Sequence, residues 1–304
     1  MASEEVDDGP FIHAFVGLQA TGAIGLCIIL LTALSSKRIQ RDLTWYNFCI
    51  AWIISCISYL LLSFAGQQTG PAPNHVLCLT QASLIYAAPN LTAFATLALV
   101  IQLWLNVHSA PIGSTSPRHR VSGLVTLILL SVPYAVAIVT LVASLMVASH
   151  WPGCVSRAKS SMYCGMNIRL PGQVSAILVA VSMGVAVFLE VFIAVTLYRN
   201  WRLLKSLDGH IMHSMRTSVR VGIFSLFSIL SIAVAPVYLS AVMAPIPNII
   251  IALTPVAAFF VFGSQKDLLS VWIFWRRVPS SPLSDEHDCD ITEMLKTSPS
   301  HSPT

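Results

Sequence analysis

The stretch Val76–Val107, VLCLTQASLIYAAPNLTAFATLALVIQLWLNV, runs for about 32 residues without an Asp, Glu, Lys or Arg. Water has little claim on such a segment. As one helix rising 1.5 Å per residue it would be about 48 Å long against a hydrocarbon core of about 30 Å. It must therefore tilt, or project beyond the lipid at its ends. A long tilted helix in a bundle touches most of its neighbours. Polar chemistry is threaded along this one: Cys78 near its start, Tyr86, Pro89 and Asn90 near its middle, Gln102, Trp104 and Asn106 near its end.

The rest of the chain repeats the pattern. Apolar residues make up 55% of the 304 and charged residues 10%, with a mean hydropathy of +0.75. Soluble domains carry about 25% charged residues. A polytopic membrane protein is expected, and a soluble enzyme is not. Seven spans are placed near 11–35, 44–66, 76–107, 121–148, 172–198, 218–242 and 247–264. Lipid offers no hydrogen bonds, so each span must satisfy its own backbone, and continuous apolar runs without period-two alternation do so as helices rather than as barrel strands.

Charge orients the bundle. The segment MASEEVDDGP has four carboxylates and no basic residue, unlike the positive start of a cleaved leader, so the first span is expected to stay in the mature chain. Of the seventeen Lys and Arg residues, fourteen fall in loops 36–43, 108–120 and 199–217 with the start of the sixth span, and in the tail. Arg157, Lys159 and Arg169 alone lie on the other side. The positive-inside bias then puts the N-terminus outside and the C-terminus in the cytoplasm. Anionic lipid accounts for the net charge of +4 without nucleic acid.

Gly17, Gly22, Gly25 and Gly184 are candidates for close helix approach, and Pro89, Pro133, Pro236 and Pro255 for kinks. Cys27, Cys49 and Cys56 lie within spans and are expected to pack as small apolar groups. Cys289 lies in the cytoplasmic tail and should stay reduced. Cys78, Cys154 and Cys164 all face the oxidising side. A bridge from Cys78 to Cys164 is preferred because the longer lead lets the outer loop cross the bundle, with Cys154 as the alternative partner and a Cys154–Cys164 bridge as the competing pairing.

Glu190 is an acid within a span, about 13 Å by helical rise above Arg199 and on the opposite face of the helix. An acid at that depth needs a partner in the bundle. Counting depth down the third span places Gln102 at its level. A buried polar switch of Glu190 and Gln102 between the third, fifth and sixth spans is one reading; a neutral acid that fixes helix packing is the other. In the outer half, Tyr59, Gln81, Tyr86, Asn90, Gln173 and Tyr238, with Trp151 and Tyr163 from the loop, are the candidate ligand-binding residues. Interfacial anchoring and helix–helix hydrogen bonding explain the same residue types. No Asp or Glu lies in the outer half of a span, so an apolar or weakly polar ligand is favoured. The Asn90-Leu-Thr92 triplet is out of reach of glycosylation inside the third span.

Seven spans, an outer N-terminus, a Cys at the outer end of the third span and another in the second outer loop, Pro in the sixth and seventh, and then SQKDLLSVWIFWRR, together resemble the G-protein-coupled receptor superfamily over residues 11–277. TWYNFCIAW, QASLIYAAPNLTA and FGSQKDLLSVW look most like the seven-span receptor-like proteins of mushroom-forming fungi, with a more distant likeness to fungal pheromone receptors. The third span ends in LNVHSA, where rhodopsin-like receptors carry an acidic-Arg-aromatic triplet. The seventh reads TPVAAFF, where they carry Asn-Pro-x-x-Tyr. The resemblance implies ligand-driven signalling at the plasma membrane and a heterotrimeric G protein contacted through Arg118, Arg120, Arg202, Lys205 and Arg216.

The expected organisation is an all-α seven-helix bundle over 11–264, preceded by an outer N-terminus of 1–10. It is followed by an amphipathic interfacial helix over 265–277 and a disordered tail over 278–304. Ser281, Ser298 and Ser302, each before a proline, are candidate phosphorylation sites in that tail. A retinal protein of the microbial kind would need a lysine in the seventh span, and none lies between Arg220 and Lys266. An intramembrane enzyme would need a nucleophile with its base or clustered metal ligands, and neither pattern occurs, so no activity, cofactor or metal is expected. A seven-span transporter of a small solute is the alternative, although it would be expected to show repeats or several charged mid-membrane groups.

Overall fold

A computed structural model of the protein describes residues 9–36, 39, 41–108, 122–157, 162–199, 219–226 and 245–272. Outside the described residues lie the acidic N-terminal segment, the basic loops with Arg118, Arg120, Arg202, Lys205 and Arg216, the later part of the sixth span with Pro236 and Tyr238, and the Ser-Pro tail. The helices are α1 (Gly9–Ser35), α2 (Leu43–Phe64), α3 (His75–His108), α4 (Gly123–His150), α5 (Arg169–Arg199), α6 (described over 219–226), α7 (Pro245–Gly263) and α8 (Lys266–Trp272). Between α4 and α5 a short antiparallel hairpin pairs β1 (Val155–Arg157) with β2 (Cys164–Met166). The ends of α1–α5 and α7 fall within three residues of the spans expected from hydropathy.

α1 to α5 are each long and apolar enough to cross a bilayer. Their burial is inverted relative to a soluble bundle. Ile24, Leu127, Val139, Ile177 and Phe188 are exposed on outward faces, while Gln19, Asn47, Gln81, Asn90 and Gln102 are buried. Apolar surface on that scale would not tolerate water; hydrocarbon tails cover it at no cost.

α3 is the central rod. It packs against α2, α4, α5 and the hairpin, and Pro89 sits inside it without breaking it. Next to the missing Pro89 N–H, the Tyr86 carbonyl accepts hydrogen bonds from Asn90 Nδ2 at 3.2 Å and from Ser175 Oγ of α5 at 2.9 Å. A polar tie thus reinforces the helix where proline weakens it.

α1 closes the bundle against α7. A Cβ on Gly22 would lie 2.7 Å from Pro255 Cβ, and one on Gly25 would lie 2.5 Å from the Phe259 ring, so these two glycines set the α1–α7 distance. Gly17 and Gly184, expected to do the same, have open space around the Cβ position and do not. α2 stops at Phe64 because Gly66 adopts φ 65°, with Gly66 N donating to Ser63 O and Gln67 N to Leu62 O. A side chain at that position would be strained.

The largest apolar cluster lies toward the α8 end. Phe48 of α2 stacks edge-on with Phe224 of α6 at 5.4 Å and tilted against Phe262 of α7 at 4.8 Å; Trp45, Leu99 and Leu103 are buried around them. Leu268 of α8 belongs to the same cluster, and Trp272 Nε1 donates to Thr32 Oγ1 of α1 at 3.0 Å. α8 is thereby docked on the bundle along its apolar side, with Asp267 at the half-exposed edge.

Candidate functional site

At the hairpin end Cys78 and Cys164 are bridged, with Cα atoms 5.3 Å apart. The preferred pairing is the one formed, and Cys154 is buried with a free thiol. Gln81, one turn down α3, is wholly buried. Its Oε1 accepts from Cys164 N at 3.1 Å, and its Nε2 donates to the carbonyls of Ser58 and Tyr59 in α2. Tyr86 Oη accepts from Met166 N at 3.3 Å, and Asn90 Nδ2 reaches Thr140 Oγ1 of α4 at 3.2 Å. These three candidate ligand residues are therefore spent on fastening the hairpin and neighbouring helices to α3, because each finds a backbone or hydroxyl partner first.

Two other candidates are corrected. Gln173 is exposed on α5, and Trp151 is 60% exposed, so neither faces the bundle interior. Tyr163 does. Its ring meets Phe15 and Tyr59 at centroid distances of 6.1 and 5.8 Å, and its Oη donates to Asn248 Oδ1 of α7 at 2.8 Å. Burial there pushes the Tyr163 hydroxyl up to about 12.

Beneath Tyr59 a cavity of about 140 Å³ opens between α1, α2, α3, α5 and α7. Its local origin is plain in α2, where Trp52, Ser55 and Tyr59 recur at i, i+3 and i+7 and so share a face. Pro89, Ala93, Val179 and Met183 supply apolar wall. Gln19, Ser55, Tyr59 and Thr254 bring polar atoms to it from three helices. Tyr59 was legible as a candidate. Gln19 could have been found as a polar residue in mid-span, whereas Ser55 and Thr254 carry no signal, since hydroxyls in membrane helices often bond their own backbone.

The α8 end is held by a different set of groups. Arg41, before α2, is buried with its side chain 4% exposed; its Nη2 lies 3.2 Å from Asp267 Oδ2, and its guanidinium stands 5.8 Å over the Trp45 ring. Burial draws the Arg41 pKa down and the Asp267 carboxylate opposes the shift. Asn106 Nδ2 donates to Asp42 Oδ2 at 3.1 Å, and Gln102 Nε2 to Asn106 Oδ1 at 3.2 Å.

Gln102 thus turns along its own helix, and the expected pair with Glu190 is not formed. Glu190 Oε1 instead accepts from Ser225 Oγ of α6 at 2.7 Å. Equal depth does not imply a shared face, and Ser225 is the donor that meets the acid. One turn away Arg220 of α6 caps the end of α7: Nη1 donates to Val261 O at 2.6 Å and Ser264 Oγ at 2.7 Å, and Nη2 to Ser264 O at 3.0 Å. Terminal carbonyls carry partial negative charge, so a cation is favoured there. Among the described residues no group of three or more His, Cys, Asp or Glu side chains could hold a metal ion.

This arrangement of helices is similar to that of a solved structure. The crystal structure of squid rhodopsin superposes with a TM-score of 0.67, covering 88% of this chain and 80% of that one at 12% identity. At that identity the likeness concerns the fold. The chain is a multi-pass integral membrane protein with the helix-bundle fold of that rhodopsin. No protein-family model matches the sequence, and no curated protein matches it.

Proposed function

We propose that the protein is a G-protein-coupled-receptor-like signalling protein of the plasma membrane, with its N-terminus outside and the α8 end in the cytoplasm. The basic loops support that orientation. So does the disulfide at the opposite end, since such bonds persist on the oxidising side. The resemblance of TWYNFCIAW, QASLIYAAPNLTA and FGSQKDLLSVW to seven-span fungal receptor-like proteins supports a kinship with that group.

The observation that carries the reading is how α6 is held. Near the cytoplasm it is fastened to α5 through Ser225–Glu190 and to α7 through Arg220–Ser264, with Phe224 between them. Hydrogen bonds to charged groups contribute about 1.5–3 kcal/mol each, a scale that the differential binding of a ligand can supply. Trp52 joins the cavity to this element, because it lines the cavity and meets Phe224 edge-on at 5.6 Å. A ligand that moves Trp52 biases Phe224, and with it the two clasps. Displacement of α6 exposes a cytoplasmic face where Arg118, Arg120, Arg202, Lys205 and Arg216 contact the G protein. Glu190 is a switch residue in this scheme, with Ser225 as its partner.

The test is nucleotide exchange on Gα subunits by the purified full-length protein in nanodiscs. Arg220→Gln, which weakens the α6–α7 clasp, is expected to raise basal exchange about tenfold for a loss of about 1.4 kcal/mol. No exchange with either protein, together with uptake of a labelled solute into proteoliposomes, would replace the receptor with a transporter.

A further inference from the structure

The cavity holds polar side chains that no other described residue engages by a hydrogen bond. Gln19, Ser55, Tyr59 and Thr254 are 2%, 6%, 8% and 6% exposed, and none of the four side chains makes a hydrogen bond among the described residues. Buried polar groups are normally paired, since leaving one unmade forfeits its hydration. Four such side chains from α1, α2 and α7, converging on one space, are arranged for something that enters it. By contrast Thr92 and Thr96, also on the wall, donate to the Ala88, Pro89 and Thr92 carbonyls of their own helix and keep their lone pairs as acceptors.

Building on the receptor reading, we propose that this cavity binds a compact neutral molecule: an apolar ring or short chain carrying one hydroxyl or carbonyl, read by Gln19, Ser55, Tyr59 and Thr254. Volume sets the size. A cavity of about 150 Å³ accommodates benzene, so the 140 Å³ here takes about six to nine non-hydrogen atoms. Charge is disfavoured, because no Asp, Glu, Lys, Arg or His among the described residues lines the wall to compensate a desolvated ion. The polar end is specified in kind. The Gln19 amide offers both a donor and an acceptor, and each hydroxyl offers either, so the site serves an alcohol or a carbonyl equally. Val179, Met183 and Ala93 face it as the apolar half, and Met183 adds an adaptable surface. Trp52 borders the same space, so occupancy is felt by the side chain that meets Phe224.

The test uses the full chain in lipid nanodiscs with 4-fluorobenzyl alcohol as probe, followed by fluorine NMR against protein-free nanodiscs of the same lipid. A saturable, protein-dependent bound signal is expected. Fluorobenzene should bind at least about fivefold more weakly, having lost a hydrogen bond, and 4-fluorobenzylammonium should not bind. Gln19→Met and Thr254→Val keep the shape of the wall and should each shrink the preference for the alcohol over fluorobenzene while leaving fluorobenzene binding intact. Ala93→Leu fills the space and should remove both. A signal no greater than that of protein-free nanodiscs, or an undiminished alcohol preference in both shape-preserving variants, overturns the proposal. Saturable binding with no nucleotide exchange would keep the site and remove the receptor reading; exchange raised by Arg220→Gln with no saturable binding would do the reverse.

Discussion

Ser225 of α6 donates a 2.7 Å hydrogen bond to the Glu190 carboxylate of α5, and this contact joins two helices at a depth where water is scarce. The amide of Glu190→Gln still offers an oxygen to Ser225 but not the charge, so that variant should raise basal nucleotide exchange by less than Ser225→Ala does. Ser225→Ala leaves the acid without its donor and costs about 1–3 kcal/mol. Basal exchange should rise by roughly tenfold if that cost falls on the closed arrangement. Equal effects of the two substitutions would deny the contact a role.

The α1–α7 seam rests on two missing side chains. Gly22→Ala drives a methyl group to 2.7 Å from Pro255 Cβ, a ring atom that cannot swing aside. A loss of about 1–3 kcal/mol is expected, as for other overpacked sites. Gly17→Ala, with nothing within 4 Å, serves as the control and should leave the unfolding temperature unchanged. Thermal unfolding in detergent compares the two.

The Cys78–Cys164 bridge spans a sequence separation of 86 residues. Cys164→Ser should destabilise the protein by about 2–4 kcal/mol and release the hairpin to proteolysis, whereas Cys154→Ser should do neither. Peptide mapping under non-reducing conditions should recover Cys78 joined to Cys164 in the wild type.

Much of this was legible in the sequence. Spans end where charge or a helix breaker arrives: α1 stops ahead of Lys37 and Arg38, and α2 stops ahead of Gly66. Hydropathy reads such boundaries directly. Placing Cys78, Cys154 and Cys164 on one side left three pairings open, and the one preferred for its longer lead, Cys78–Cys164, is the one formed. Pairings within the bundle were harder, because depth along a helix is a matter of counting whereas azimuth depends on how each rod is rotated. Gln102, expected level with Glu190, bonds to Asn106, and Ser225 gave no sign of being the acid's partner. The same limit explains the ligand candidates. Gln81 and Asn90 are buried and Tyr86 is half-buried, and their hydrogen-bond partners are on the hairpin and adjacent helices. The cavity's polar end includes Ser55 and Thr254, whose residue types are too common in membrane helices to stand out.

Tyr163 gives a pH dependence. Its folded-state hydroxyl titrates at about 12 against 10 for the free side chain, because burial disfavours the phenolate. A raised value means that the stabilising neutral form is fully present below pH 10 and that its contribution is lost as pH climbs toward 12. Melting temperatures measured from pH 9 to 12 should fall less steeply for Tyr163→Phe than for wild type. Below pH 9 the variant should be the less stable by about 0.5–1.5 kcal/mol, for the lost bond to Asn248.

Asp267 is half exposed while its partner Arg41 is buried, so the pair is asymmetric. Asp267→Asn retains an oxygen acceptor but not the charge. A cost of about 1 kcal/mol is expected after allowing for solvent on the Asp267 side. Arg41→Met, which removes the buried charge and keeps the stem, should cost less than Arg41→Ala, and denaturation midpoints should rank the three.

α3 is fastened twice, covalently to the hairpin through Cys78 and by Asn106 to Asp42 at its far end. It is the keel of the molecule. Twisting it would strain a covalent bond at one end and a partly exposed polar chain at the other, so the rod with the most neighbours is also the least free to turn. Shape change is left to members moored by a few hydrogen bonds.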